Sequence, residues 1–257
     1  MESSICYTGK LELTVCDTDI TFDMSMPHER RYVLRELFGC KYPQADIDTL
    51  IFKDTIKLGD RLLDAGANIG MTALEALSFG ASEIICVEPE SSLAIRLRSL
   101  KRSGIVVSEC ALGRVSGAGS LFLSETHNQG HTINEETRDI FPNIFGDKSA
   151  KVIIETVSNV LLGKYCDVWK LDVEGAEVDV IESALDLIEK KPPRVIIAEI
   201  YSNNFSEMVK LLSQKYSCHR AAIRKDNYEL EYIQPTKLNL SDLYMTTSPM
   251  YVFTLND

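Results

Sequence analysis

The stretch LGDRLLDAGANIG (residues 58–70) carries a short apolar strand, Arg61–Ala65, straight into a turn built on Asp64, Gly66 and Gly70. A helix is expected to follow from about Ile69 to Phe79. The same alternation continues outward. Ile84–Glu88 reads as a second strand, Leu93, Leu97 and Leu100 mark one face of the next helix, and Ile105–Cys110 reads as a third strand. Lys151–Val157, Val168–Asp172 and Arg194–Ile200 supply further strands. In Glu177–Ile188 the residues Val180, Ile181, Ala184, Leu187 and Ile188 share a helical face. Runs such as VIIAEI (195–200) are apolar rather than alternating, as strands covered by helices on both sides are. Alternating strands and helices imply a parallel sheet with right-handed crossovers. Met250–Leu255 is expected to pair antiparallel at the far side. The expected fold is therefore a doubly wound, mostly parallel seven-stranded α/β sheet.

Ahead of this region, residues 1–58 read as a small extension. KLELTVCDTDITFDM (10–24) alternates on both sides of an Asp-rich turn and predicts a hairpin. Pro27 opens a helix to about Phe38, and Asp46–Lys57 reads as a second helix closing at Gly59. Residues 59–257 then form the main domain. Within it, 113–150 breaks the rhythm with a hairpin around Ser120–Ser124 and the polar run ETHNQGHTINEETRD (125–139); loops this long inside a domain usually serve function.

Composition bounds the partners. With 45% hydrophobic and 25% charged residues over 257 positions, the chain matches an ordinary globular protein. No run reaches the roughly 20 apolar residues that span a bilayer, and Met1–Lys10 shows no secretory pattern. The seven cysteines are odd in number, scattered and without a C-x-x-C pair, which speaks against a disulfide framework or a zinc site. The expected setting is cytoplasmic. A net charge of −11 disfavours nucleic acid, whose phosphates require a basic stripe. The densest basic stretch, RLRSLKR (96–102), reads as a solvated helix face. A homo-oligomer stays open.

The turn after the first strand points to a ligand, because open α/β sheets bind beyond the carboxyl ends of their strands. A dinucleotide fold would show G-x-G-x-x-G facing a pyrophosphate. Here Asp64 occupies the first glycine position, and its carboxylate would repel a pyrophosphate but not a cationic group. Glu88-Pro89, 24 residues after Asp64, ends the second strand where a carboxylate can accept ribose hydroxyls. Glu109, Cys110 and Ala111 end the third, where an adenine would lie.

Three stretches, LGDRLLDAGANIG (58–70), ICVEPE (85–90) and WKLDVEGAE (169–177), together resemble the FkbM family of class I methyltransferases. The third is the most specific of them; Glu199 and NQGHT (128–132) also fit. The resemblance runs from about Gly59 to Tyr201. It implies binding of S-adenosyl-L-methionine (SAM), giving S-adenosyl-L-homocysteine, by Asp64, Gly66, Asn68, Gly70, Glu88 and the Glu109–Ala111 region. Ala65, Ala67, Met71, Thr72, Pro89 and Asp172 complete the expected cofactor surface. It further implies methyl transfer, usually to a hydroxyl.

On the acceptor side, Asp172 and Glu174 follow the fourth core strand. The N/D-P-P-Y/F turn typical of amino-methylating enzymes is replaced by Asp-Val-Glu-Gly, which favours an oxygen acceptor on a small molecule, sugar or glycan. The expected catalytic residues are Asp172, as base or orienter, His131 (with His127 as a further loop candidate) and Glu199. Glu177 reads as a favourable charge at a helix start, while Glu174 stays open between that and catalysis. Asp172, Glu199 and Asn203 could grip Mg²⁺ or the acceptor itself, and the expectation is no metal. The alternatives are methylation of RNA or protein, or a non-catalytic SAM-binding module.

Overall fold

The computed structural model describes residues 9–124, 130–140, 144–237, 240–244 and 249–256. A hairpin, β1 (Lys10–Val15) and β2 (Thr18–Asp23), leads into helices α1 (Pro27–Phe38) and α2 (Pro43–Thr55). Then come β3 (Arg61–Ala65), α3 (Met71–Ser78), β4 (Glu83–Val87), α4 (Ser91–Ser99) and β5 (Ile105–Ser108). Next are β6 (Ala111–Leu112), β7 (Gly117–Ser124), the short helix α5 (Glu135–Ile140) and β8 (Phe145–Glu155). The chain continues through α6 (Val157–Leu161), β9 (Val168–Leu171), α7 (Glu177–Lys190), β10 (Val195–Glu199) and α8 (Ser202–Leu212). It ends in β11 (Tyr216–Ile223), β12 (Leu230–Ile233) and β13 (Met250–Leu255).

The central sheet runs β12-β11-β13-β10-β9-β3-β4-β5. Neighbours from β5 to β10 are parallel, whereas β13 is antiparallel to both β10 and β11. The sheet has eight strands, not seven, because β12 folds back antiparallel on β11 at the edge. Successive residues on each strand feed opposite cores. Leu62, Ile84, Val168 and Ile197 pack on one side with α2, α3 and α4. Leu63, Ile85, Trp169 and Ile196 pack on the other with α6, α7 and α8. Strands buried on both faces explain the unbroken apolar runs.

Three sequence expectations change. Lys151–Val157 is not a strand of the central sheet. Its first part belongs to β8, in a separate sheet of order β6-β8-β7, where Ile153 is 59% exposed. Val157 already starts α6, capped by Thr156, whose hydroxyl accepts the Asn159 N–H. The helix expected from Asp46 begins at Pro43, the first-turn position proline favours, and the Asp46 carboxylate accepts the Tyr42 N–H at 2.7 Å. Finally, β13 lies inside the sheet, between β10 and β11, rather than at its margin.

The N-terminal elements share the main core: Phe22, Ile47, Ile51 and Phe52 are fully buried within it. Arg96 on α4 grips the buried Glu29 of α1 with two hydrogen bonds, at 2.8 and 2.7 Å, and also donates to the Thr21 carbonyl. Arg98 pairs with Glu109. Two arginines of the basic stretch are thus spent on neighbouring carboxylates.

Candidate active site

The order of strands reverses between β3 and β9, so the crossovers on either side leave a crevice beyond their carboxyl ends. A cleft opens there. Gly66, Asn68, Glu88 and Pro89 line one part, Cys110, Ala111, Leu112 and Leu121 an apolar part, and His131, Ile133, Asp172 and Glu174 the rest.

Asp64 ends β3 fully buried. Its Oδ2 accepts the Thr72 hydroxyl at 2.6 Å, while Oδ1 is buried with no donor among the described residues. Glu88, 4% exposed, accepts the Asn68 N–H on Oε2 and the Glu90 N–H on Oε1, both at 2.9 Å. Each oxygen retains a lone pair for a further donor. Burial pushes the Glu88 carboxyl up to about 7, against the pull of those two amides. Gly66 is required for a reason its motif does not reveal. It has a φ of +83°, and a Cβ there would lie 1.9 Å from the Asp172 carbonyl oxygen. The glycine lets β3 and β9 close on each other, and so brings Asp64 and Asp172 to one place.

The remaining expected cofactor residues divide by position. Ala65, Ala67 and Met71 are buried in the cores and shape the turn from behind, and Gly70 sits just before α3. Cys110 and Ala111 line the apolar part, whereas the Glu109 side chain turns away to Ser91 and Arg98 on α4.

Lys170 was not expected in the site. It stands in β9, 2% exposed, and donates to Asp172 Oδ2 at 2.9 Å, with Asp48 Oδ2 of α2 at 3.9 Å. A lysine inside the apolar strand VWKL is itself a signal, since a buried ammonium requires a counter-charge. Nothing local to Asp48 could have revealed its part.

Past β9 the chain turns sharply. Glu174 adopts a φ of +52°, and its carbonyl accepts the Thr132 hydroxyl at 2.7 Å. The Gly175 carbonyl accepts Nδ2 of both Asn134 and Asn204, at 2.8 and 3.0 Å. A Cβ on Gly175 would fall 2.1 Å from Thr137 Oγ1, so segment 130–137 is keyed onto this turn. Glu177 takes the structural part, accepting the Gly175 N–H at 3.0 Å. The Glu174 carboxyl receives the Tyr201 hydroxyl. Burial, and then the charges of Asp172 and Glu199, hold Glu174 well above the usual carboxylate range. His131 lines the cleft, but its Nδ1 accepts the Ser124 N–H at 3.0 Å. The neutral ring then carries its proton on Nε2, as a donor. His127 and Asn128 lie outside the described residues. Asn203 is exposed on α8, and among the described residues no group of three or more His, Cys, Asp or Glu side chains is placed to hold a metal ion.

A family model described as the methyltransferase FkbM domain matches residues 64–241. No curated protein matches at a significant level. Similar solved structures include a SAM-dependent methyltransferase from Agrobacterium tumefaciens. It is 10% identical, with 98% of this chain and 72% of that one covered and a TM-score of 0.48. A TehB-like SAM-dependent methyltransferase from Corynebacterium glutamicum is 12% identical, with 89% and 96% covered and a TM-score of 0.45. A precorrin-6y C5,15-methyltransferase from Geobacter metallireducens is 12% identical, with 82% and 85% covered and a TM-score of 0.39. None of these likenesses bears on the acceptor.

Proposed function

The chain belongs to the FkbM methyltransferase family and uses SAM, and from that premise we propose that it methylates a hydroxyl oxygen on a small molecule, sugar or glycan. SAM supplies an electrophilic methyl group on a sulfonium. The residues present suit it: Glu88 offers two lone pairs to ribose hydroxyls, Asp64 Oδ1 lacks a donor, and the Cys110–Leu112 wall is apolar.

The observation that carries the acceptor class is the carboxylate-rich edge past β9 and β10. Asp172 and Glu174 line the cleft, Glu199 adds its charge, and Lys170 pairs with Asp172. Such an edge repels phosphate but accepts hydrogen bonds from hydroxyl groups. Asp172, fixed by Lys170, orients the hydroxyl, and His131 lines the same cleft. Glu174, once ionised, takes the hydroxyl proton, because burial raises the basicity of its carboxylate. The test is release of S-adenosylhomocysteine across matched panels of neutral sugars and polyols, RNA and peptides. Turnover confined to the polyhydroxyl panel is expected; methylation of RNA or peptide alone would overturn the assignment.

Glu88 also fixes a pH dependence of cofactor binding. Its carboxyl, at about 7, is raised in the free protein, and donors from a ribose favour the ionised form. Binding therefore releases a proton below neutrality, and affinity grows as pH rises toward 8. Calorimetry should show the SAM dissociation constant tightening by about three- to tenfold from pH 6 to 8. Heats should differ between buffers of different ionisation enthalpy. A constant or weakening affinity would remove Glu88 from ribose binding.

A further inference from the structure

One ammonium serves three carboxylates behind the cleft. Lys170 bonds Asp172, lies 3.9 Å from Asp48 Oδ2, and is acted on by the fully buried Asp64. Asp48 Oδ1 and Asp64 Oδ1 are both buried without a donor among the described residues. The charge count cannot close with all three ionised, so this region carries excess negative charge whenever Asp48 loses its proton. Asp172 also faces the cleft, which couples that excess to whatever lies against it. Asp48 comes from α2, ahead of the 64–241 region that defines the family.

We propose that Asp48 is a specificity-determining residue that makes the site favour the cationic cofactor over its product. The sulfonium of SAM bears a positive charge and the thioether of S-adenosylhomocysteine does not; the two otherwise present the same groups. Ionised Asp48 adds a negative charge that attracts the first and is indifferent to the second. The groups facing Asp48 are Lys170 on β9, Asp172 just beyond it, Asp64 on β3, Glu75 on α3 and Tyr32 on α1. Among them Lys170 favours the ionised form and the carboxylates oppose it, while burial dominates and lifts Asp48 to about 7. Its charge therefore changes across neutrality.

The ratio of dissociation constants, S-adenosylhomocysteine over SAM, isolates this effect. Glu88 meets the ribose of both ligands, so that bonding cancels, and any pull of its charge on the sulfonium is common to the wild type and the Asp48 variants. The amino group of each ligand titrates alike against every variant. We expect the rise in this ratio from pH 6 to 7.5 to be about two- to fivefold greater in the wild type than in Asp48→Asn. Asp48→Glu should restore it. Asp48→Ser, which also removes the charge, serves should the amide variant fail to give folded protein. A charge-free variant whose ratio follows pH as the wild type does would overturn the proposal, as would a wild-type curve that stays flat. A merely structural role would weaken both ligands together and leave the ratio unmoved.

Discussion

Lys170→Met should destabilise the fold by about 3–5 kcal/mol, the cost of leaving buried carboxylates without their counter-charge. For a chain of this size that is a fall in melting temperature of about 6–20 °C. Lys170 is 2% exposed, so water cannot replace it, and Asp48, Asp64 and Asp172 would each lose their shared cation. The loss should shrink with acidity. Without the ammonium, the Asp48 and Asp64 carboxyls, already raised by burial, rise further above their unfolded values. A carboxyl raised on folding favours the folded state at low pH and withdraws that support as pH climbs through its folded value. The melting deficit should therefore be smaller at pH 6 than at pH 8, and adding Asp48→Asn should recover part of it. Thermal melts of the single and double variants across that range check both. A deficit within 1 °C at pH 8 would mean that Lys170 is not the hub of the network.

Glu174→Gln should cut turnover by about 10²–10⁴-fold, the range a general base contributes, while SAM binding stays within a few-fold. The amide keeps the size of the side chain and can still meet the Tyr201 hydroxyl, but it cannot accept a proton. Glu174 is well placed for the role. Three hydrogen bonds from Thr132, Asn134 and Asn204 fix the carbonyls of its turn, and burial, then the nearby Asp172 and Glu199, raise its basicity. Single-turnover kinetics with an acceptor identified from the polyhydroxyl panel separate chemistry from binding. Undiminished turnover would return the proton to Asp172.

The parts of the molecule legible in the sequence are those governed by local rules. The apolar strands β3, β4, β9 and β10 declare themselves because both their faces are buried. By contrast β11, with Ser217, His219 and Arg220 among its apolar residues, shows no such run, and β8 has one half-exposed face. The β3 turn is legible through Asp64 and Gly66 because a parallel strand must end before its helix begins. The described part of the polar stretch 125–139 carries Thr132, Asn134 and Thr137 to the Glu174–Gly175 turn.

Sequence alone determined the parallel core of the sheet, β3, β4, β5, β9 and β10, and the strand ends that border the cleft, since these follow from periodicity and from the order of strand ends. Tertiary structure decided the rest. It put Asp48 beside Lys170 across 122 residues of chain and tied Tyr201 to the carboxyl of Glu174. It also showed that Gly66 is a glycine because the Asp172 carbonyl fills the space of its side chain. Charge balance and close backbone approach depend on distances through space, and no local pattern along the chain encodes those.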